Sequence, residues 1–267
     1  MKLPRESDDE MGGSLMPENV PLNSPGAGGS RVYDLSLLFN RDMPTYYFYK
    51  NVLDPPFFSI VSHPNISDPG DGFVTHVSFV THTGTHVDAP RHFRPDGMSI
   101  DELAPECWLG EGVVLGVPKG ALEEVRAADL DAALERDGLE IRPGDLVAIN
   151  TGWHHGYAGP ATDAIAARRY LEQAPGLCKE SAQWLVDHQV RTVLVDTPAL
   201  DCCTHMPYGD GSLESHHTLF AHNIPGVEML GGELDEVTGR RCLISCAPVK
   251  YEGGDAFPLR ALAIPID

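Results

Sequence analysis

The stretch Thr81-His82-Thr83-Gly84-Thr85-His86-Val87-Asp88-Ala89-Pro90-Arg91-His92-Phe93 places four metal-competent side chains, His82, His86, Asp88 and His92, within eleven residues. All four occupy even positions. An extended backbone sends every second side chain to one face, so a strand here would aim them into a single pocket. Gly84 can relax the chain between the first two histidines, and Pro90 would bend it before the last. Imidazole and carboxylate donors, with room for water, suit a catalytic divalent ion. A structural site would more often use thiolates and close every position. The competing reading is of histidines scattered along a solvated strand.

Working outward, strand-like segments recur at 73–81, 112–117, 146–151, 192–196, 241–249 and 259–264. Helical patterns lie between some of them. Residues 122–136 combine good helix formers with a stop at Gly138, and 180–189 set Trp184, Leu185 and Val186 beside polar residues. No repeat or linker interrupts residues 31–267, which read as a single α/β domain. Gly and Pro within the strand regions favour a curved or barrel-like sheet. Residues 1–30 are rich in Pro, Gly, Ser and acids with no apolar period, and the expectation is a disordered acidic tail. Phe39, Tyr46, Tyr47, Phe48, Tyr49, Phe57 and Phe58 form an aromatic cluster. It reads either as core or subunit contact, or as the apolar wall of a ligand pocket. Phe39 and Trp153 are the aromatic candidates for substrate binding.

Charge narrows the function classes. The chain has 39 Asp+Glu against 19 Lys+Arg, a formal net charge of -20. Such a field repels nucleic acid and anionic lipid, so neither is expected as a partner, and it says nothing positive about the small-molecule substrate that is expected. No apolar run reaches the length of a membrane helix, and no signal-peptide core is evident at the start. The six cysteines, Cys107, Cys178, Cys202, Cys203, Cys242 and Cys246, form no CxxC pair. A reducing cytoplasm is the expected compartment.

A second half of the site is sought in Ser215-His216-His217-Thr218-Leu219-Phe220-Ala221-His222-Asn223-Ile224-Pro225-Gly226-Val227-Glu228. Its first part reads as a short helix stopped by Pro225-Gly226. His216 shares a face with Leu219 and Phe220, and His217 shares one with Phe220 and Ile224, so periodicity does not choose between them. Glu228 could return a carboxylate to the same place. Asp201, His205 and His222 are further candidates as ligands or orienters. His63, His76, His154, His155 and His188 read as surface or structural.

The run from His82 to Phe93 resembles the signature of the metal-dependent cyclase/hydrolase family, which includes bacterial kynurenine formamidase and isatin hydrolase. The likeness extends through Thr151-Gly152-Trp153, Asp196-Thr197-Pro198, Ser215-His216-His217, the run Asn223 to Glu228, and Gly253-Gly254 with Pro258-Leu259-Arg260-Ala261. It implies a swivelling β/β/α barrel-like domain, assembled as a homodimer or homotetramer. It also implies metal held at His82, His86, Asp88, His216 and Glu228, with His92 in proton transfer. The acidic tail and a longer segment between Asp196 and His216, carrying Cys202, Cys203, His205 and Tyr208, depart from the shorter formamidases.

The expected cofactor is one or two divalent ions, Mn2+ or Zn2+, able to supply hydroxide near neutral pH and to polarise a carbonyl. The expected reaction is hydrolysis of a C–N amide bond in an aryl formamide or a cyclic amide or imide, without a covalent intermediate. The alternatives are a cyclase, dehydratase or lactone hydrolase using the same ion, or a non-catalytic metal- or ligand-binding module.

Overall fold

The computed structural model describes residues 31–40, 43, 59–64, 73–157, 164–207 and 209–266. The acidic tail, Tyr46 to Tyr49, Phe57, Phe58 and Tyr208 lie outside the described residues. The first strands are β1 (Tyr33–Asp34), β2 (Ser59–Pro64), β3 (Phe73–Ser78), β4 (His86–Asp88), β5 (Leu109–Gly116) and β6 (Glu124–Val125). There follow β7 (Leu146–Asn150), β8 (Gly176–Leu177), β9 (Thr192–Val195), β10 (Gly226–Glu228), β11 (Arg240–Ser245), β12 (Ala256–Pro258) and β13 (Leu262–Pro265). The α-helices are α1 (Ala127–Asp137), α2 (Ala164–Glu172), α3 (Lys179–Asp187) and α4 (Glu214–Ala221).

Among the described residues, nine strands form one sheet in the order β1-β13-β11-β5-β7-β9-β10-β4-β12, curled into a half-barrel. The central strands β5, β7, β9 and β10 run parallel, and antiparallel strands flank them on both sides. This is the barrel-like α/β architecture the sequence predicts. Two cores cover the central strands. Val113, Leu115, Val147, Ile149, Val193 and Val195 pack against Leu130 and Ala133 of α1, Leu185 of α3, and Leu219 and Phe220 of α4. Val114, Leu146, Ala148 and Leu194 face the other way, onto Val87, Val227, Ile244 and Trp108. Burial on both faces explains why these strands read as unbroken apolar runs, as parallel strands do.

Element boundaries move where local geometry intervenes. The helix expected from residue 122 starts at Ala127, because Glu124–Val125 first pair with β8. Asp129 Oδ2 accepts the Arg126 amide at 2.7 Å, and Gly138 ends the helix in the left-handed region. Helix α2 was not anticipated. It docks through Tyr170 and Leu171 while Ile165 stays exposed. No helix among the described residues is long and apolar enough to cross a membrane.

Candidate active site

Only three residues of the opening motif, His86 to Asp88, form a strand, and the four donors converge by other means. Within β4, Val87 faces the core while His86 and Asp88 point the opposite way, as alternation requires. Gly84 turns the chain before the strand at φ +66°, a conformation that disfavours any side chain. A Cβ there would also lie 2.6 Å from Met43 Cε. After the strand, Pro90 opens a turn of 3-10 helix, Pro90–His92, which swings His92 back.

Strand β10 pairs antiparallel with β4 and sets Glu228 opposite His86 and Gly226 opposite Asp88. A Cβ on Gly226 would sit 2.5 Å from Leu200 Cδ1, so any larger residue there would require the Leu200 side chain to move. Glu228 Oε1 lies 3.2 Å from His216 Nε2 and accepts the Leu200 amide at 2.8 Å, while Oε2 is 3.5 Å from His86 Nε2. Helix α4 supplies His216, which is buried, while His217 is exposed. Three-dimensional packing thus makes the choice that periodicity left open. Asp201 caps α4 from outside, accepting the amides of Ser215 and His216 at 2.7 and 3.0 Å. It also accepts from His216 Nδ1 at 2.5 Å, which turns Nε2 toward Glu228 and Asp88. In the same way His86 Nδ1 donates to Gly84 O at 2.7 Å and leaves Nε2 free for the centre.

The donor atoms that approach one another fall into two groups sharing Asp88: His86, Asp88 and Glu228, and His82, Asp88 and His92. Asp88 Oδ1 lies 2.8 Å from His82 Nδ1 and 3.2 Å from His86 Nε2, yet neither approach has hydrogen-bond geometry. A buried carboxylate oxygen without a donor, ringed by imidazole nitrogens at this spacing, fits a cation. Orientation of the outer nitrogens by Gly84 O and Asp201 is the support metal-binding histidines use.

The buried donors also set one another's charge. Burial works against a charged His82, but Asp88 and Asp255 raise it to about 10. Burial likewise opposes charge on His216, and Asp201 and Glu228 raise it to about 10. For Asp88, burial would raise the carboxyl, and the His82 charge instead holds it well below the ordinary carboxylate range. His92 behaves differently. Burial, with the His82 and His216 charges, overcomes Asp88 and pushes it down to about 4. Its nitrogens stand 3.8 Å from Asp88 Oδ2 and 3.9 Å from Asp255 Oδ2, and its side chain is 21% exposed. A neutral imidazole at the rim, loosely held, is equipped to move a proton.

A family model described as "Putative cyclase" matches residues 33–202. The chain belongs to the cyclase family. This cyclase-family chain is 29% identical over 233 residues to the kynurenine formamidase of Bacillus cereus (strain ATCC 10987 / NRS 248), covering 87% of this chain and 97% of the relative. It is 29% identical over 237 residues to that of Bacillus mycoides (strain KBAB4), covering 89% and 99%. Among solved structures, isatin hydrolase A from Ralstonia solanacearum superimposes with a TM-score of 0.74 at 27% identity, covering 89% of this chain and 93% of that one. An isatin hydrolase bound to the product analogue thioisatinate shares the fold, with a TM-score of 0.72 at 22% identity and 88% and 93% covered.

Sequence reading overlooked Asp255. It precedes β12, whose Ala256 pairs with Asp88, and its Oδ2 lies 3.1 Å from His82 Nε2 while Tyr251 Oη donates to Oδ1 at 3.1 Å. Burial opposes its ionisation, but the His82 contact holds it at about 2. The signal was its place beside Gly253-Gly254 in a segment already singled out. Of the other candidates, Asp201 is the His216 orienter. His205 instead bridges Glu124 and Asp210, and exposed His222 donates to Thr218 O. The Trp153 indole donates to Tyr170 O and stacks on Tyr170 beside Tyr157 and Met229. Phe39 packs edge-on against Phe79, which meets Phe257 of β12, and it borders Gly84 at the motif.

Proposed function

We infer that this chain is a metal-dependent hydrolase of non-peptide C–N amide bonds, acting on an aryl formamide or on a cyclic amide or imide. The observation that carries the reading is the juxtaposition of His92 with a buried cluster whose donors fit a cation. The kynurenine formamidase relatives and the isatin hydrolase fold support the substrate class. His82, His86, Asp88, His216 and Glu228 are assigned to hold one or two ions, Mn2+ or Zn2+. When bound, such an ion lowers the pKa of water and polarises a carbonyl.

His92 takes a proton from the attacking water and returns it to the departing nitrogen. The water oxygen joins the carbonyl carbon, the C–N bond breaks, and a carboxylate and an amine result. Asp255 holds His82 from outside and faces His92, which positions both rings. Asp201 fixes the His216 tautomer. The aromatic edge of Phe39 and Phe79 beside Gly84 is assigned to a planar substrate, and Trp153 to the flank of the pocket. All six cysteines are buried and none is joined in a disulfide, which suits the cytoplasmic location proposed for this enzyme, working as a homodimer or homotetramer.

The test is product analysis in 18O-labelled water over aryl formamides, isatin, lactams and cyclic imides. Hydrolysis places one solvent oxygen in a carboxylate and disappears when a chelator strips the metal. A product formed by loss of water, without solvent oxygen, would instead favour the cyclase or dehydratase alternative.

A further inference from the structure

A second set of metal-competent side chains lies outside the cluster described above and shares no residue with it: His154, His155 and Asp235. His154 and His155 belong to the 3-10 turn Trp153–Gly156, just past the carboxyl end of β7. Asp235 belongs to a second turn, Leu234–Val237, eighty residues further along the chain. His155 Nε2 lies 2.7 Å from Asp235 Oδ2, and His154 Nε2 lies 3.7 Å from the same oxygen. Ligands about 2.1 Å from a tetrahedral ion stand roughly 3.4 Å from one another, and these separations bracket that value.

A histidine beside an exposed aspartate is common on surfaces. Three features set this group apart. Asp196, fully buried, accepts His154 Nδ1 at 2.9 Å and the His154 amide at 3.2 Å, while its other oxygen takes the Thr151 amide and hydroxyl. That network fixes the His154 tautomer and aims Nε2 at Asp235, just as Asp201 aims His216. Secondly, 3.7 Å is too long for a hydrogen bond, so the buried His154 Nε2 is aimed at Asp235 Oδ2 without bonding to it. Asp235 Oδ2 therefore takes one close contact, from His155, and keeps room on the His154 side. Finally, Asn150 Nδ2 donates to Asp235 Oδ1 at 2.8 Å, which turns Oδ2 toward the histidines.

We propose that His154, His155 and Asp235 form a second cation site, separate from the catalytic one, that takes a divalent transition-metal ion of the zinc class. Two imidazoles and one carboxylate select such an ion over Mg2+ or Ca2+, which prefer oxygen donors. Water completes the coordination on the exposed side. The ion clasps the turn after β7 to the turn at Leu234–Val237, and the strongly acidic chain favours its approach.

The experiment titrates the full chain with zinc ions by equilibrium dialysis and elemental analysis, comparing wild type with His155→Ala and Asp235→Asn. The His155 side chain is exposed, and the asparagine keeps an acceptor for Asn150. At least one variant therefore retains the fold and gives a count. The expected result is one zinc fewer per chain in each variant, or at least about tenfold weaker binding of that zinc, with amide hydrolysis unchanged. Excess zinc should also raise the thermal midpoint of wild type by a few degrees more than that of either variant. Equal zinc counts and affinities in all three proteins would overturn the proposal. So would loss of turnover in step with the zinc, because the missing ion would then belong to the active site.

Discussion

Asp88 is buried at the junction of both donor groups, with one oxygen lacking any hydrogen-bond donor. Removing it takes away a ligand and leaves the surrounding imidazoles without their compensating charge. Asp88→Ala should therefore lose bound metal and turnover together, and full metal occupancy by elemental analysis would sink this assignment. His92 plays a different part, since it is held loosely and kept neutral by its burial and charged neighbours. His92→Ala should keep its metal and lose on the order of 10²- to 10⁴-fold in rate, the range of a general acid–base. Undiminished turnover would hand the proton to another group. His222 is a poor substitute, because it is exposed and bonded to its own helix. Asp201 acts one step further out. Asp201→Asn should weaken metal binding by roughly 10- to 100-fold, read from chelator competition, because the negative charge that orients and polarises His216 is gone.

At the scale of elements, the site depends on a three-residue strand held between two partners, with β10 on one side and β12 on the other. Gly84 makes the entry possible. Gly84→Ala places a side chain at positive φ and against Met43, so unfolding in denaturant should show a loss of at least about 1 kcal/mol. An unchanged midpoint would mean that the turn relaxes without cost. The same elements explain what could be read beforehand. The motif from His82 to His92 is local, and its spacing with Gly84 and Pro90 encodes convergence within a few residues. The central strands are buried on both faces and announce themselves as apolar runs. Asp255 had only its place beside Gly253-Gly254 to mark it, because it reaches His82 through the β12–β4 pairing, a contact between residues more than 170 positions apart. His216 and His217 have nearly equal apolar neighbours in sequence, and only the docking of α4 under Asp201 separates them. Helix α2 lies outside the helical patterns read from the sequence, and it docks through Tyr170 and Leu171.

For the molecule as a whole, a net charge of -20 surrounds a pocket that concentrates carboxylates and imidazoles, and some cation must balance it. In the metal-free chain, protons on His82 and His216 serve that purpose, each imidazole being raised to about 10. Imidazole binds metal only when neutral, so loading at pH 7 should release about two protons per chain. The sign follows directly: both groups are protonated below their raised values, so metal affinity should climb as pH rises. A weakly buffered indicator dye would record the release, and loading without proton release would contradict this account of the charge. Chelation should abolish turnover and metal return should restore it.

The central claim is that residues more than 120 positions apart close on one catalytic ion. Anomalous diffraction at the metal edge, from crystals of the loaded enzyme, tests it most directly. The predicted result is a peak about 2.0–2.2 Å from Asp88 and from imidazole nitrogens of the His82–His86 pair, with His216 and Glu228 within roughly 5 Å as ligands or orienters. A fully active enzyme whose only ion lies elsewhere, or whose His216 and Glu228 turn away from it, would contradict the account.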